Sequence, residues 1–263
     1  MQKIVSILIT AYKNYIVFIP DIIWMNLILV LRLFVIITLY KYLYSNFSHN
    51  DLISWFTLTQ ITYWVIIAQI ISVSKPKVVD EISYDVKSGK ISVYLLNPIN
   101  YILFKFLEFF PIFIQNVFIG LIFWFWIWIV ATGDFPITFV SFFAGIILLI
   151  WSMLVVFFSY TLIGLFAFYV EDIEAFRFIY SKFDMILGGN IMPIPFLPHI
   201  LQTIAYATPF AYFWYTSWLI FVSFDGDTFL KYFSIQIFWL AITLFTCFVV
   251  FKHASKKLTI NGW

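Results

Sequence analysis

KPKVVDEISYDVKSGKISVYLLNPINYILFK, residues Lys75 to Lys105, is the longest polar interval in an otherwise apolar chain. It carries Asp80, Glu81 and Asp85 with Lys75, Lys77, Lys87, Lys90 and Lys105, and long hydrophobic runs flank it on both sides. Pro76 suits a first helical position, where a missing N–H costs nothing. Val78, Val79, Ile82 and Val86 recur at helical spacing and form an apolar edge. Asp80, Glu81, Ser83, Asp85 and Lys87 are assigned to the other side. Gly89 is placed to take the left-handed conformation that ends a helix, and Pro98 marks a second break. The pattern predicts an amphipathic helix of roughly three turns, too short to cross a bilayer and shaped to lie along one. A solvated loop with some helix in it is the alternative.

The flanks decide the class. The chain is 63% hydrophobic and 11% charged, with mean hydropathy +1.00, against roughly 25% charged residues in soluble domains. Folded in water it would expose apolar surface that nothing could cover. It is therefore an integral membrane protein. A net charge of +2 excludes nucleic acid as a natural partner. The single cysteine, Cys247, excludes a disulfide framework and a cysteine metal site. The N-terminus lacks a signal-peptide core and cleavage site, so no removal is expected.

Outward from Lys75–Lys105, residues 1–20 read as an interfacial helix ending at Pro20, with Ile4, Leu8, Ala11, Tyr12 and Tyr15 on one face. Spans are expected at Ile22–Tyr44, Leu52–Ser74, Phe109–Gly133, within Ile137–Val170, at Ala175–Met192 and at Tyr232–Phe251. The fourth run is uncharged and as one helix would reach about 50 Å, well beyond a core of ~30 Å. Gly133, Asp134 and Pro136 read as a turn. Pro193, Pro195, Pro198 and Pro209 break the region 193–224 into a short re-entrant or surface hairpin.

Lysine and arginine placement orients the chain. Six spans with both termini in the cytoplasm put Lys75–Lys105 and the basic tail inside. Ionisable residues within spans should face protein or water. Arg32, Arg177, Lys182 and Asp184 are the intramembrane candidates, either in a transport path or in structural pairs between helices. Glu171, Asp172 and Glu174 form either a carboxylate cluster or an acidic turn between spans. Enzymatic signals are absent. Ser88-Gly89-Lys90 lacks the rest of a phosphate-binding loop, His49, His199 and His253 are scattered, and no nucleophile elbow occurs.

Three stretches resemble the membrane subunit, or permease, of type-2 ATP-binding-cassette exporters, in a six-span branch without a fused ATPase domain. The first is Gly89 followed by Tyr94-Leu95-Leu96-Asn97-Pro98-Ile99. The second is Gly188-Gly189-Asn190-Ile191-Met192-Pro193, with Phe196-Leu197-Pro198 and Pro209-Phe210-Ala211-Tyr212. The third is the tail from Ala254 through Lys256, Lys257 and Gly262. Arg32 and the polar fifth span depart from the family pattern.

The resemblance implies an all-α, polytopic single transmembrane domain over residues 1–263. Its parts would be an elbow helix at 1–20, a cytoplasmic coupling segment at 75–105 and an outer hairpin at 193–224. It implies that Val79, Glu81, Ile82, Tyr84, Asp85 and Lys87 couple to a cytoplasmic ATPase, with Glu171, Asp172 and Glu174 as a second contact. ATP and magnesium would be bound by that partner, with no cofactor in this chain and no catalytic site. A second permease copy or paralogue in the cell membrane would complete the substrate path. The rival expectations are a gradient-driven carrier or channel using the four intramembrane candidates, and a non-transporting scaffold. No internal repeat is evident, and repeats are common among gradient-driven carriers.

Overall fold

The computed structural model describes residues 2–16, 19–46, 57–132, 138–170 and 172–260, and it is helical throughout. The turn predicted at Gly133, Asp134 and Pro136, and Glu171, lie outside the described residues.

Helix α1, Gln2–Ile16, runs along α6 and is joined to it where the Tyr15 hydroxyl donates to Asn116 Oδ1 at 3.0 Å. Its Ile4, Val5, Ile9 and Tyr12 face outward. Helices α2, Ile19–Asn46, and α3, Leu58–Val73, follow and are in contact with each other. A capping box of Thr57 and Gln60 starts α3, and Ser74 ends it. Next come α4, Val78–Lys87, and the short α5, Ile91–Leu95. The long helices α6, Tyr101–Thr132, and α7, Phe139–Leu165, form the centre. Then follow α8, Glu174–Leu187, α9, His199–Ala207, α10, Tyr215–Val222, and α11, Gly226–Ile260.

Among the described residues, three helices are long and apolar enough to cross a membrane, within Tyr101–Ile122, Phe139–Phe168 and Gly226–Lys256. The surplus length expected of the fourth run shrinks because α7 stops at Leu165, and a 3₁₀ turn at Phe166–Phe168 leads the chain away. Its 27 residues rise about 40 Å. Helix α6 begins eight residues ahead of the expected span and carries Lys105 and Glu108 in its first turns. Helix α11 extends past Phe251, so the basic tail through Lys256 is helical.

Helix α8 is the shortest of the expected spans. Its 14 residues rise about 21 Å, less than the hydrocarbon core. One face buries Asp184 and Leu187 while Phe178, Ile179, Lys182 and Phe183 stay exposed. Gly189, at φ +77°, turns the chain out of it, a conformation that costs a residue with a Cβ about 1–2 kcal/mol.

The main core cluster is centred on α7, which packs against α11, α10 and α4. Helix α10 is not a surface appendage: Tyr215, Trp218, Ile220 and Phe221 are all buried against α3 and α7. A polar knot fixes it at mid-length of α7. Ser152 Oγ donates to the Tyr212 carbonyl at 2.9 Å, and Gln236 Nε2 donates to Ser152 Oγ at 2.9 Å. Broken backbone survives at such depth only when protein satisfies it.

Candidate functional site

Helix α4 sits at the end of α7, and its ten residues divide cleanly. Val78, Val79 and Ile82 are buried against α7 and the 3₁₀ turn that follows it. Gly164 supplies the seat, since a Cβ there would lie 2.9 Å from Ile82 Cδ1 and 3.3 Å from Val79 Cα. The opposite face presents Asp80, Glu81, Tyr84 and Lys87 to the exterior. Tyr84 is 58% exposed, and the Lys90 ammonium lies 4.8 Å from its ring centroid. Pro76 stands one residue ahead of the N-cap, Lys77, rather than at the first helical position. Gly89 takes φ +73° just beyond the C-cap Ser88, which ends the helix as its position in the sequence predicts.

Charged side chains tie α4 down on three sides. Toward α6, Lys105 lies 2.9 Å from Asp85 and 3.4 Å from both Glu81 and Glu108. The Tyr101 hydroxyl donates to Asp85 Oδ2 at 2.8 Å. Lys105 and Asp85 are both nearly fully buried, where an unpaired charge would be costly. Beside this cluster, burial raises the Tyr94 phenol above its usual value, an effect that the Lys105 charge opposes.

Toward α8, Arg177 donates to Asp80 and to Glu174, each at 2.5 Å. This triad is open to water and weak accordingly. In the segment joining α3 to α4, the Lys75 ammonium lies 2.6 Å from Asp184 Oδ2. The same oxygen accepts the Tyr160 hydroxyl at 2.6 Å, and Oδ1 accepts the Trp214 indole N–H. The chain beyond α8 is held again at Gly189, whose carbonyl takes the Trp64 indole N–H at 2.7 Å.

The sequence-predicted residues sort by this geometry. Glu81, Tyr84 and Lys87 lie on the open face of α4. Val79, Ile82 and Asp85 lie underneath, so they hold the helix and cannot themselves meet a partner on that face. Ser83 and Asp85, assigned to the polar side, are buried; Asp85 can be so because Lys105 and Tyr101 satisfy it. Asp172 is exposed and caps α8 by accepting the Glu174 N–H at 3.0 Å. Glu174 is spent on Arg177.

The intramembrane candidates do not converge. Arg177 pairs with Asp80 of α4, Lys182 is exposed with its ammonium 4.9 Å from the Phe178 ring centroid, and Asp184 is buried with Lys75. The Arg32 side chain lies outside the described residues. Sequence reasoning missed Lys75, Tyr101, Lys105, Tyr160 and Trp214 as partners, because their contacts join distant parts of the chain. Among the described residues, no group of His, Cys, Asp and Glu is positioned to hold a metal ion.

A family model described as ABC-2 family transporter protein matches residues 27–262. The chain belongs to the ABC-2 transporter family. The match runs from α2 to the end of α11 and takes in the whole α4 assembly; α1 precedes it. Comparison with curated proteins gives no match. Membership makes this ABC-2 chain a membrane transport component with a permease role, in a family that normally works with an ATPase partner. The resemblance read from Gly89, the Gly188–Pro193 segment and the basic tail is thereby confirmed at the level of family.

Proposed function

We propose that this chain is the permease subunit of an ATP-driven exporter, and that α4 is the coupling helix gripped by a separate cytoplasmic ATPase. One observation carries the reading: α4 is fastened on its inner side by Val78, Val79, Ile82 and the buried Asp85–Lys105 pair, while Glu81, Tyr84 and Lys87 are exposed on its outer side. A two-sided helix of this kind transmits force, because its docking face is rigidly backed. Exposed charges around an aromatic anchor suit a protein groove.

The family, the helical order and the lysine distribution support six membrane segments with both termini in the cytoplasm. On this reading α8 and the Gly188–Phe221 region together make the fifth segment and the hairpin before α11. Substrate would pass between two permeases, copies or paralogues, in the cell membrane, with ATP and magnesium held by the ATPase. A gradient-driven carrier is less favoured, since Arg177, Lys182 and Asp184 go to three different environments.

Co-purification tests the proposal. An ATPase subunit should accompany the tagged chain, and the double substitution Tyr84→Ala, Lys87→Ala should release it without lowering the melting temperature. Undiminished association would remove α4 from the role.

A further inference from the structure

Four separate parts of the chain meet at one buried carboxylate, Asp184. Lys75 comes from the α3–α4 segment, Tyr160 from α7, Asp184 from the last turn of α8, and Trp214 from the N-cap of α10. Asp184 is fully buried and its three donors occupy both of its oxygens. The Lys75 ammonium also lies 4.4 Å from the Trp214 ring centroid, so it touches α10 as well as α8. Lys75 stands two residues before the N-cap of α4, with the buried Pro76 between them. A tilt of α4 therefore moves the Lys75 backbone directly.

We infer that the Lys75–Asp184 ion pair is the link through which displacement of α4 is carried into the α8–α10 wall of the bundle. This rests on the permease reading above and assigns the transmission to named residues. The other fastenings of α4 are poorly suited to it. The Asp80–Arg177–Glu174 triad also reaches α8, but all three side chains are open to water, which lets the pair lengthen and exchange partners. The Lys105 cluster leads to α6, away from this wall. The apolar seat on α7 is non-directional and tolerates sliding.

A buried carboxylate with both oxygens engaged behaves differently. Separating it from one donor exposes an uncompensated charge, so a shift of Lys75 draws Asp184 and Trp214 with it. The wall is prepared to respond as a unit: Trp64 holds Gly189 on α3, and α10 is an uncharged helix seated between α3 and α7.

The test uses the permease in complex with the ATPase that co-purifies with it, reconstituted in lipid. Ser223, the exposed C-cap of α10, is replaced by cysteine as the reporter; the native Cys247 is fully buried. The rate of maleimide labelling at position 223 is compared without nucleotide and with Mg-ATP plus vanadate, below each variant's melting temperature. In the parent, nucleotide should change the rate. In Lys75→Met and in Asp184→Asn the change should be lost although the ATPase stays bound, and the double variant should behave like either single one.

A nucleotide response that persists in both single variants overturns the link, as does a parent with bound ATPase that gives no response. Should Lys75→Met fail to fold, Asp184→Asn, which keeps the carboxylate's shape, decides alone. Failure of any ATPase to bind the parent sinks the permease reading instead, and the two failures are separate observations.

Discussion

The seat of α4 on α7 makes a double-substitution prediction that neither single change can mimic. A methyl group at position 164 would lie 2.9 Å from Ile82 Cδ1 and 3.2 Å from Ile82 Cβ. Gly164→Ala gains about 1 kcal/mol of helix propensity and loses about 1–3 kcal/mol to overpacking, for a net loss of about 1 kcal/mol. Ile82→Val, at a fully buried site, deletes the Cδ1 that clashes and costs about 1 kcal/mol by itself. Were the two independent, their sum would be about 2 kcal/mol.

They are not independent, because the alanine methyl enters the space that Cδ1 vacates. The double variant should lose about 1 kcal/mol or less, a coupling of about 1 kcal/mol between residues in contact. For a chain of this size that is a difference of roughly 2–4 °C in melting temperature. Thermal unfolding of the solubilised protein, followed by tryptophan fluorescence for parent, both singles and the double, measures it. A double variant whose melting temperature falls by the full sum of the singles refutes the seat as described.

Two further predictions concern the polar fastenings. Asp85→Ala leaves Lys105 buried beside Glu81 and Glu108 at 3.4 Å and strips the Tyr101 hydroxyl of its acceptor; it should cost about 3 kcal/mol, the low end for breaking a buried pair. Asp85→Asn keeps an acceptor for Tyr101 and should cost clearly less, so equal losses of melting temperature would deny that hydroxyl bond a part. Trp64→Phe keeps an aromatic ring but abandons the buried Gly189 carbonyl, a loss of about 1–3 kcal/mol that an unchanged melting curve would contradict.

Apolar run length and composition made the membrane class and the long α6, α7 and α11 legible, since each depends on many residues at once. The family resemblance was legible from three short stretches in order, at Gly89–Ile99, Gly188–Tyr212 and the basic tail. The α4 helix was legible from a ten-residue periodicity and from Gly89. Boundaries were less so. The extent of α7 depends on a 3₁₀ turn at Phe166–Phe168, in a stretch where no proline or charge marks the stop and the one glycine, Gly164, lies within the helix as the seat of α4. The packing of α10 into the bundle was hidden for another reason. Its Thr216 and Ser217 are met by Gln236 and Ser152, far off in the chain.

The misassignment of Asp85 shows where more could have been read. Asp85 lies seven residues after Val78 and three after Ile82, which puts it on the same helical stripe as those two apolar residues. An acid on the buried stripe of an amphipathic helix demands a buried cation, and Lys105, embedded in the hydrophobic run that opens α6, demands a buried anion. Each is an anomaly alone; together they specify a pair, and the structure has it at 2.9 Å. Lys75 and Asp184 carry the same signature less plainly, because Lys75 lies outside any helix and its stripe is undefined. What made Asp184 look like part of a transport path was polarity within an apolar chain, and polarity of that kind is equally the mark of a helix bolted in place.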